Sequence, residues 1–168
     1  MGQGLDGATL LVIGYGRIGR RVAQLASAFG ARIAVYDPFI NGDDLPEGAT
    51  NYPKLDAALA AADFISLHAG GKGALLGTAE FALMKPGVLL LNSARGELVD
   101  EDALIAALDS CKVAGAWLDA FWKEPYSGRL TQYPQVLLTP HVATYTRQCR
   151  LSMETTAVEN LLRDLGLA

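Results

Sequence analysis

The motif Gly14-Tyr15-Gly16-Arg17-Ile18-Gly19 constrains the fold of this chain more than any other short stretch. It follows the apolar run Thr9–Ile13, which has the character of a buried strand, and it opens a segment whose apolar residues recur at helical spacing. A G-x-G-x-x-G pattern between a strand and a helix is typical of dinucleotide-binding folds. The alternative is a plain glycine-rich turn, which this context disfavours.

Each glycine of the motif has a predicted role. Gly14 permits a tight turn, Gly16 lets the backbone approach a pyrophosphate, and Gly19 allows the helix to pack closely on the strand. The free amides near Arg17 and Ile18 are expected to bind the pyrophosphate, because a helix N-terminus favours anions.

Asp37 lies 18 residues after Gly19, at the end of a second apolar run, Arg32–Tyr36. A carboxylate at this place accepts hydrogen bonds from the ribose hydroxyls of NAD and repels the 2′-phosphate of NADP. The alternative is an aspartate that only begins a turn before Pro38. The sequence therefore predicts NAD as the cofactor.

Apolar runs alternate with helical segments along the chain. The predicted strands are Thr9–Ile13, Arg32–Tyr36, Phe64–Leu67, Val88–Leu91, Val113–Leu118 and Val136–Thr139. The first predicted helix begins at Arg17 and ends before Gly30. The other predicted helices are Leu55–Ala61, Thr78–Met84 with Thr78 as its cap, a helix capped by Asp100 that runs to Leu108, and Thr144–Leu165. Residues 38–53 are predicted to be loop. This alternation predicts an α/β fold, a doubly wound Rossmann-type parallel sheet with helices on both faces, in a single domain.

Composition narrows the function classes. Apolar residues make up 51% and charged residues 19% of the 168, which excludes a disordered chain. A net charge of −4 provides no basic surface for nucleic acid or an anionic membrane. No apolar run approaches the ~18 residues of a membrane span, and the N-terminus lacks the features of a signal peptide. Cys111 and Cys149 are the only thiols, too few for a disulfide scaffold, so a reducing cytoplasm is expected. The two also lack metal-ligand spacing, so no metal site is indicated.

Glycine and polar residues follow the predicted strands. They are Gly14, Gly16, Asp37, His68, Ser93, Arg95, Asp119 and His141, together with Ala94 between Ser93 and Arg95. Because ligands of doubly wound sheets bind beyond the carboxyl ends of the strands, these residues are predicted to form one site.

Several stretches resemble the D-isomer-specific 2-hydroxyacid dehydrogenase family in order and spacing. The matching segments are Gly14–Gly19, Tyr36–Phe39, Met84–Gly87, Asn92–Gly96, Leu118–Phe121 with Glu124-Pro125, and Leu138–His141. The resemblance covers essentially the whole chain. It implies the nucleotide-binding domain of an NAD-dependent enzyme that transfers hydride between nicotinamide and a 2-keto or 2-hydroxy acid.

The resemblance also implies that Arg95, Glu124 and His141 carry catalysis. The planar guanidinium of Arg95 can hold the carboxylate of a 2-keto acid. His141 can donate a proton to the carbonyl oxygen as hydride reaches the carbon, and Glu124 would orient the imidazole and stabilise its charged form. Taken singly, an arginine after a strand is often a surface residue and a histidine after Thr-Pro a loop residue.

Four further residues are expected to contact the cofactor. His68 follows a strand end, and Ser93 and Ala94 are expected to contribute backbone groups. By resemblance Asp119 lies near the nicotinamide amide; the alternative is that its carboxylate satisfies nearby backbone amides.

The sequence departs from the family at two places. The loop after His68 has three glycines and Lys72 in place of Pro-Leu-Thr, which predicts a more flexible wall. The family's separate substrate domain is expected to be absent from residues 1–168, because a short linker precedes the first strand and the last helix ends the chain. A homodimer is implied by resemblance. The alternative function is a non-catalytic NAD(H)-binding or sensing and dimerisation module, which shares the dinucleotide site but predicts no turnover.

Overall fold

The computed structural model describes residues 2–40, 45–71 and 73–167. Its strands are β1 (Thr9–Ile13), β2 (Arg32–Tyr36), β3 (Thr50–Asn51), β4 (Phe64–Leu67), β5 (Val88–Asn92), β6 (Val113–Leu118) and β7 (Val136–Leu138). Its helices are α1 (Arg17–Ala28), α2 (Leu55–Ala61), α3 (Thr78–Leu83), α4 (Glu101–Asp109) and α5 (Arg147–Asp164). Within the described residues, short 3₁₀ turns cover Gly96–Leu98 and Arg129–Gln132.

The strands form one parallel sheet in the order β3-β2-β1-β4-β5-β6-β7. The chain starts in the middle of the sheet and extends it first on one side and then on the other. Leu11 of β1 therefore pairs with Ala34 of β2 on one side and with Ile65 of β4 on the other. The direction of winding reverses between β1 and β4, which confirms the predicted doubly wound sheet.

Side chains are buried on both faces of the sheet. A larger apolar cluster joins β1, β4, β5 and β6 to α2, α3 and α4, and a smaller one joins β1 and β2 to α1. Adjacent residues of β1, such as Leu11 and Val12, are both fully buried because they face opposite helical layers. This is why the strands read as continuous apolar runs rather than alternating ones. Helices on both faces are thus confirmed.

Many predicted boundaries are confirmed. The bounds of β1, β2, β4, β6 and α2 are those predicted, and α1 ends before Gly30, whose φ of +83° is the left-handed conformation expected after a helix. Asp100 caps α4, since its Oδ1 accepts a hydrogen bond from the amide of Ala103 at 2.8 Å. α4 extends one residue beyond Leu108, to Asp109.

The prediction of loop for residues 38–53 was wrong at Thr50–Asn51. These residues form the two-residue edge strand β3, which pairs with Ala34 and Val35 of β2. A pair of polar residues has no apolar pattern, and only the exposed edge of β2 makes them a strand. Smaller corrections concern the ends of three elements. Gly77 rather than Thr78 caps α3, which ends at Leu83, while β5 reaches Asn92 and β7 stops at Leu138.

The last helix begins later than predicted, at Arg147 instead of Thr144, and ends at Asp164. Thr146 caps it by accepting a hydrogen bond from the amide of Cys149 at 3.1 Å. The amides of Val142 and Ala143, just before the predicted start, are bound by the Asp119 carboxylate. No residue of α5 is buried. None of the helices in the described ranges combines the length and apolar character needed to cross a membrane.

Candidate active site at the carboxyl edge of the sheet

A cleft of about 410 Å³ opens where the winding of the sheet reverses, beyond the ends of β1, β2 and β4. Its lining includes Gly14, Gly16, Asp37 and His68, together with Pro38 and Phe39. Four of the predicted site residues, which follow three different strands, thus come together in one cleft. Phe39, a residue that is 94% exposed at this cleft, was not assigned a role from the sequence.

The glycine motif shapes the cleft by close packing. Gly14 has a φ of +90°, and a Cβ there would lie 2.5 Å from the amide nitrogen of Ala69. A Cβ on Gly19 would overlap the carbonyl oxygen of Gly14. A Cβ on Gly16, in contrast, would meet no protein atom within 4 Å, so this residue faces open space.

The N-terminus of α1 fits an anion. The first amides of a helix have no intrahelical partner, and here no side chain caps them and no acidic residue lies in the first turn. With the open space at Gly16, the helix start suits the pyrophosphate of a dinucleotide, held by the backbone around Arg17 and Ile18.

The Asp37 carboxylate is fixed at the rim of the cleft. Its Oδ2 accepts a hydrogen bond from the amide of Tyr15 at 2.7 Å, and its Oδ1 accepts one from the amide of Phe39 at 2.9 Å. The contact with Phe39 is that of a turn-forming aspartate, the alternative considered from the sequence. Each oxygen of an ionised carboxylate can accept a second hydrogen bond, so this turn role leaves acceptors for ribose hydroxyls.

His68 is held by Ser66, whose Oγ lies 2.8 Å from Nε2 of the imidazole. Burial lowers the pKa of His68, so the ring is neutral near pH 7 and adds no charge to the cleft. The adjoining wall is made by Ala69, Gly70, Gly71 and Gly73, so it presents almost no side chains to the cleft. Lys72 lies outside the described residues, and the flexibility of this loop remains a prediction.

His141, which follows β7, and Glu124, which follows β6, form a hydrogen-bonded pair further along the carboxyl edge of the sheet. Nδ1 of His141 lies 3.0 Å from both carboxylate oxygens of Glu124. Because an ionised carboxylate only accepts, Nδ1 carries the donated proton. The hydrogen bond from His141, followed by that from the amide of Phe121 at 3.2 Å, lowers the pKa of Glu124 against the opposing effects of burial and of the charge on Asp119.

The Asp119 carboxylate lies beneath the loop that carries His141 and is fully buried. It accepts hydrogen bonds from the Thr139 hydroxyl (2.6 Å) and from the amides of Val142 (2.9 Å) and Ala143 (2.8 Å). Burial acts to raise the pKa of Asp119, but these donors outweigh it and the pKa is lowered. The Asp119 carboxylate therefore satisfies nearby backbone amides, which is the alternative that the sequence analysis gave for this residue.

Arg95 follows β5 in a turn built by Asn92. The buried Asn92 side chain donates to the Arg95 carbonyl at 2.8 Å and accepts from the Ala94 amide at 3.0 Å, so Ser93 and Ala94 lie within this turn. The guanidinium is exposed, and its Nη1 donates to the Ala94 carbonyl at 2.7 Å. Over the described ranges, no hydrogen bond or ion pair joins Arg95 to Glu124 or His141.

Sequence reasoning missed the residues that hold these loops. Asn92 had a local signal, because a polar residue ends the most apolar strand and a buried amide needs partners. Thr139 and Trp117 had none: Nε1 of Trp117 donates to the Thr139 hydroxyl at 2.9 Å across 22 positions of sequence.

A family model described as "D-isomer specific 2-hydroxyacid dehydrogenase, NAD binding domain" matches residues 1–143. A glyoxylate reductase from Thermococcus litoralis is 37% identical over 166 residues, which are 96% of this chain and 50% of that protein. The crystal structure of a glyoxylate reductase from Paecilomyes thermophila is similar with a TM-score of 0.89 and 38% identity, over 96% of this chain and 50% of that one. The structure of D-lactate dehydrogenase with NAD⁺ from Lactobacillus jensenii is similar with a TM-score of 0.86 and 33% identity, over 100% of this chain and 56% of that one.

The chain spans half or less of the length of curated relatives such as this glyoxylate reductase and the D-3-phosphoglycerate dehydrogenase of Bacillus subtilis, of which it covers 32%.

Proposed function

The chain belongs to the D-isomer specific 2-hydroxyacid dehydrogenase family through its NAD binding domain, and on that premise we propose that it binds NAD(H) and catalyses hydride transfer between the nicotinamide and a 2-keto or 2-hydroxy acid. The observation that carries the catalytic proposal is the contact of His141 with Glu124, in which Nδ1 lies 3.0 Å from both carboxylate oxygens. A histidine oriented through Nδ1 keeps Nε2 for proton transfer to a substrate.

The proposed cofactor site is the cleft at the reversal of the sheet. The start of α1 would bind the pyrophosphate through the backbone at Gly16, Arg17 and Ile18, while Asp37 would accept hydrogen bonds from the ribose. His68 lines the same cleft as a neutral ring. Ser93, Ala94 and Asp119 are proposed to lie along the nicotinamide half, where Asp119 acts mainly by holding the His141 loop.

In the proposed reduction, this chain's residues handle the carboxylate and the proton. When bound, the nicotinamide cofactor supplies the hydride that reaches the carbonyl carbon. Nε2 of His141 donates a proton to the carbonyl oxygen, Glu124 stabilises the ring in its charged form, and Arg95 binds the substrate carboxylate. Oxidation of the 2-hydroxy acid reverses both transfers.

The substrate class is supported by the relatives, which include a glyoxylate reductase and a 4-methyl-2-oxopentanoate reductase. Both named substrates are 2-oxo acids, in which a carbonyl adjoins a carboxylate. This pairing of groups matches a proton donor and a guanidinium at one sheet edge.

The test is NADH oxidation by the purified chain with a panel of 2-keto acids that begins with glyoxylate and hydroxypyruvate, alongside a direct NADH-binding titration. His141→Ala is expected to lower kcat by about 10²-fold or more. Arg95→Ala is expected to abolish measurable turnover while NADH binding is retained. Arg32→Ala is the matched control, because Arg32 contacts Thr9 at the opposite edge of the sheet.

The outcomes separate the two candidate functions. Turnover that the His141 variant loses supports the reductase. NADH binding without turnover on any of the acids contradicts catalysis by this chain and supports the NAD(H)-binding module. Failure to bind NADH contradicts both.

We also propose that residues 1–168 form one NAD-binding domain, and that the chain is a cytoplasmic homodimer with small-molecule rather than nucleic-acid or membrane partners. The two cysteines are free, which suits a reducing compartment. The dimer is supported by exposed apolar side chains on α5, among them Leu151, Val158 and Leu161. Sedimentation at several concentrations tests it, because a species of 17.8 kDa throughout contradicts the dimer.

A further inference from the structure

We propose that Tyr126 and Glu101 are a positioning pair that fixes the loop bearing Glu124 against the segment that follows Arg95. The inference rests on the proposed function, in which Arg95, Glu124 and His141 act on one substrate. Neither Tyr126 nor Glu101 touches the reacting atoms in this scheme. They act by keeping Glu124 where it meets His141.

The Tyr126 side chain makes several contacts at once. Its hydroxyl donates to Oε1 of Glu101 at 2.6 Å and accepts from the amide of Leu130 at 3.1 Å. Its ring stacks on Phe121, with centroids 4.7 Å apart and planes 18° from parallel. Burial, then the hydrogen bond to Glu101, raises the pKa of Tyr126 to about 12, so the phenol stays a donor across the working pH range.

Phe121 connects Tyr126 to the catalytic carboxylate. The Phe121 ring is stacked on Tyr126, while its amide donates to Oε1 of Glu124 at 3.2 Å. Tyr126 is also only two positions from Glu124 in the chain. Glu124 is therefore held on both sides by groups whose position depends on Tyr126. A shift of this ring is expected to move the carboxylate away from His141.

The partner of this loop is the segment after Arg95. A Cβ on Gly96 would overlap the Phe121–Trp122 backbone, and Nε1 of Trp122 donates to the Val99 carbonyl at 2.7 Å. The Glu101 contact is the third point along the same segment, at the start of α4. It differs from the other two in joining two side chains, so it can be removed without altering the backbone. Arg95 and Glu124 are thus set relative to each other through protein contacts, not through substrate alone.

A purely structural role is the competing explanation, and Tyr133 provides the control for it. Its hydroxyl donates to Oδ1 of Asp109 at 3.0 Å, so it too binds a carboxylate of α4 from the segment between β6 and β7. Asp109 lies at the other end of α4, away from Glu124. Removing either hydroxyl breaks a hydrogen bond between a tyrosine and a carboxylate, but only Tyr126 is connected to Glu124.

The experiment compares Tyr126→Phe with Tyr133→Phe in the full chain, using carboxyl carbon NMR titration of Glu124, assigned with Glu124→Gln. Tyr126→Phe keeps the stacked ring and removes only the hydroxyl. We expect it to raise the pKa of Glu124 toward that of an ordinary glutamate, because the contacts from His141 and the Phe121 amide that lower this pKa are weakened. Tyr133→Phe is expected to leave the Glu124 titration unchanged.

Glu101→Ala gives a second route in case Tyr126→Phe is poorly folded, and it should raise the pKa of Glu124 in the same direction. The double variant Tyr126→Phe/Glu101→Ala should shift the Glu124 titration no further than Tyr126→Phe alone, since the hydroxyl that binds Glu101 is already missing from Tyr126→Phe. Additive shifts, or equal effects of Tyr126→Phe and Tyr133→Phe, would overturn the proposal.

A kinetic readout separates this inference from the proposed function. With a reducible 2-keto acid, Tyr126→Phe is expected to lower kcat by about tenfold while the NADH dissociation constant stays unchanged. If the parent chain shows no turnover, the proposed function fails, but the NMR titration still decides whether Tyr126 positions Glu124. If turnover is present and both kcat and the titration of Glu124 are unaffected, the positioning role is wrong.

Discussion

The hydroxyl of Thr139 donates a hydrogen bond to the buried carboxylate of Asp119 at 2.6 Å and joins the end of β7 to the end of β6. Asp119 in turn holds the amides of Val142 and Ala143. Between these fixed points His141 has a φ of +54°, a conformation that residues other than glycine adopt only at a cost of about 1–3 kcal/mol. The backbone of the proposed catalytic histidine is therefore set by a buried polar cluster beneath it.

Replacing Thr139 by valine tests this cluster. The change leaves the Trp117 indole without its acceptor and Asp119 with one donor fewer, while the side-chain volume is nearly conserved. We expect a loss of about 1–3 kcal/mol in the free energy of unfolding, measured by urea denaturation.

Thr131→Val is the matched control, because the Thr131 hydroxyl is exposed and donates to the Gly128 carbonyl at 2.9 Å. Its effect should stay within about 0.5 kcal/mol. Equal losses for the two variants would mean that the Thr139 hydroxyl contributes nothing specific to the Asp119 cluster.

The fold was predictable because it depends on local patterns. Buried parallel strands need apolar runs, and the glycine motif at the end of β1 admits few alternatives. The largest error concerns an element set by a distant partner, since β3 exists only because β2 offers an open edge. The start of α5 is set by a local cap, Thr146, which the sequence analysis did not single out.

The residues of the candidate site also divide into those that sequence reasoning could place and those that it could not. The strand-end rule grouped Gly14, Asp37 and His68 correctly in one cleft, since it depends only on sheet topology. Thr139 and Tyr126 escaped it, because their roles consist of side-chain hydrogen bonds between residues far apart in the chain. Such pairs leave no periodic pattern in a single sequence.

Removing the His141 ring is expected to raise the pKa of Glu124. The hydrogen bond from His141 is the largest of the effects that lower this pKa. In His141→Asn, carboxyl carbon NMR should therefore record a Glu124 midpoint closer to that of an ordinary glutamate. A lowered pKa means that the ionised form is favoured in the fold, so the contact is fully formed above the ordinary glutamate pKa and lost as pH falls through the lowered one.

His68→Asn is the control, because the chain has only two histidines and His68 binds Ser66 instead. An unchanged Glu124 titration in His141→Asn would show that the two groups are not paired in solution.

Asp37 is expected to select NADH over NADPH. Its carboxylate is fixed at the cleft by the Tyr15 and Phe39 amides, so it cannot turn away from a 2′-phosphate. Asp37→Asn removes the charge at constant shape and should reduce the preference for NADH by about tenfold, about 1.4 kcal/mol. Titration calorimetry with both cofactors measures this, and Asp56→Asn, an exposed carboxylate on α2, serves as the control. Equal affinity of the parent chain for NADH and NADPH would contradict the role given to Asp37.

Asp63 makes stability depend on pH at the opposite edge of the sheet. Its Oδ1 accepts a hydrogen bond from Nζ of Lys85 at 2.8 Å, and its Oδ2 accepts one from the amide of Thr9 at 2.8 Å. Burial acts to raise the pKa of Asp63, but Lys85 and the Thr9 amide outweigh it, and the pKa is lowered from 3.8. The stabilisation is therefore complete above the unfolded-state pKa and is lost as pH falls through the lower folded-state value.

Asp63→Asn should cost about 1–2 kcal/mol of unfolding free energy near pH 7. The free energies of unfolding of Asp63→Asn and of the parent chain can be compared by urea denaturation from about pH 7 to about pH 3. The difference between them should shrink below about pH 4. Lys85→Met should cost less than Asp63→Asn, because the Lys85 side chain is 40% exposed and water screens its charge. A difference that stays constant over the whole pH range would show that the Asp63 carboxylate is not held in its ionised form by these contacts.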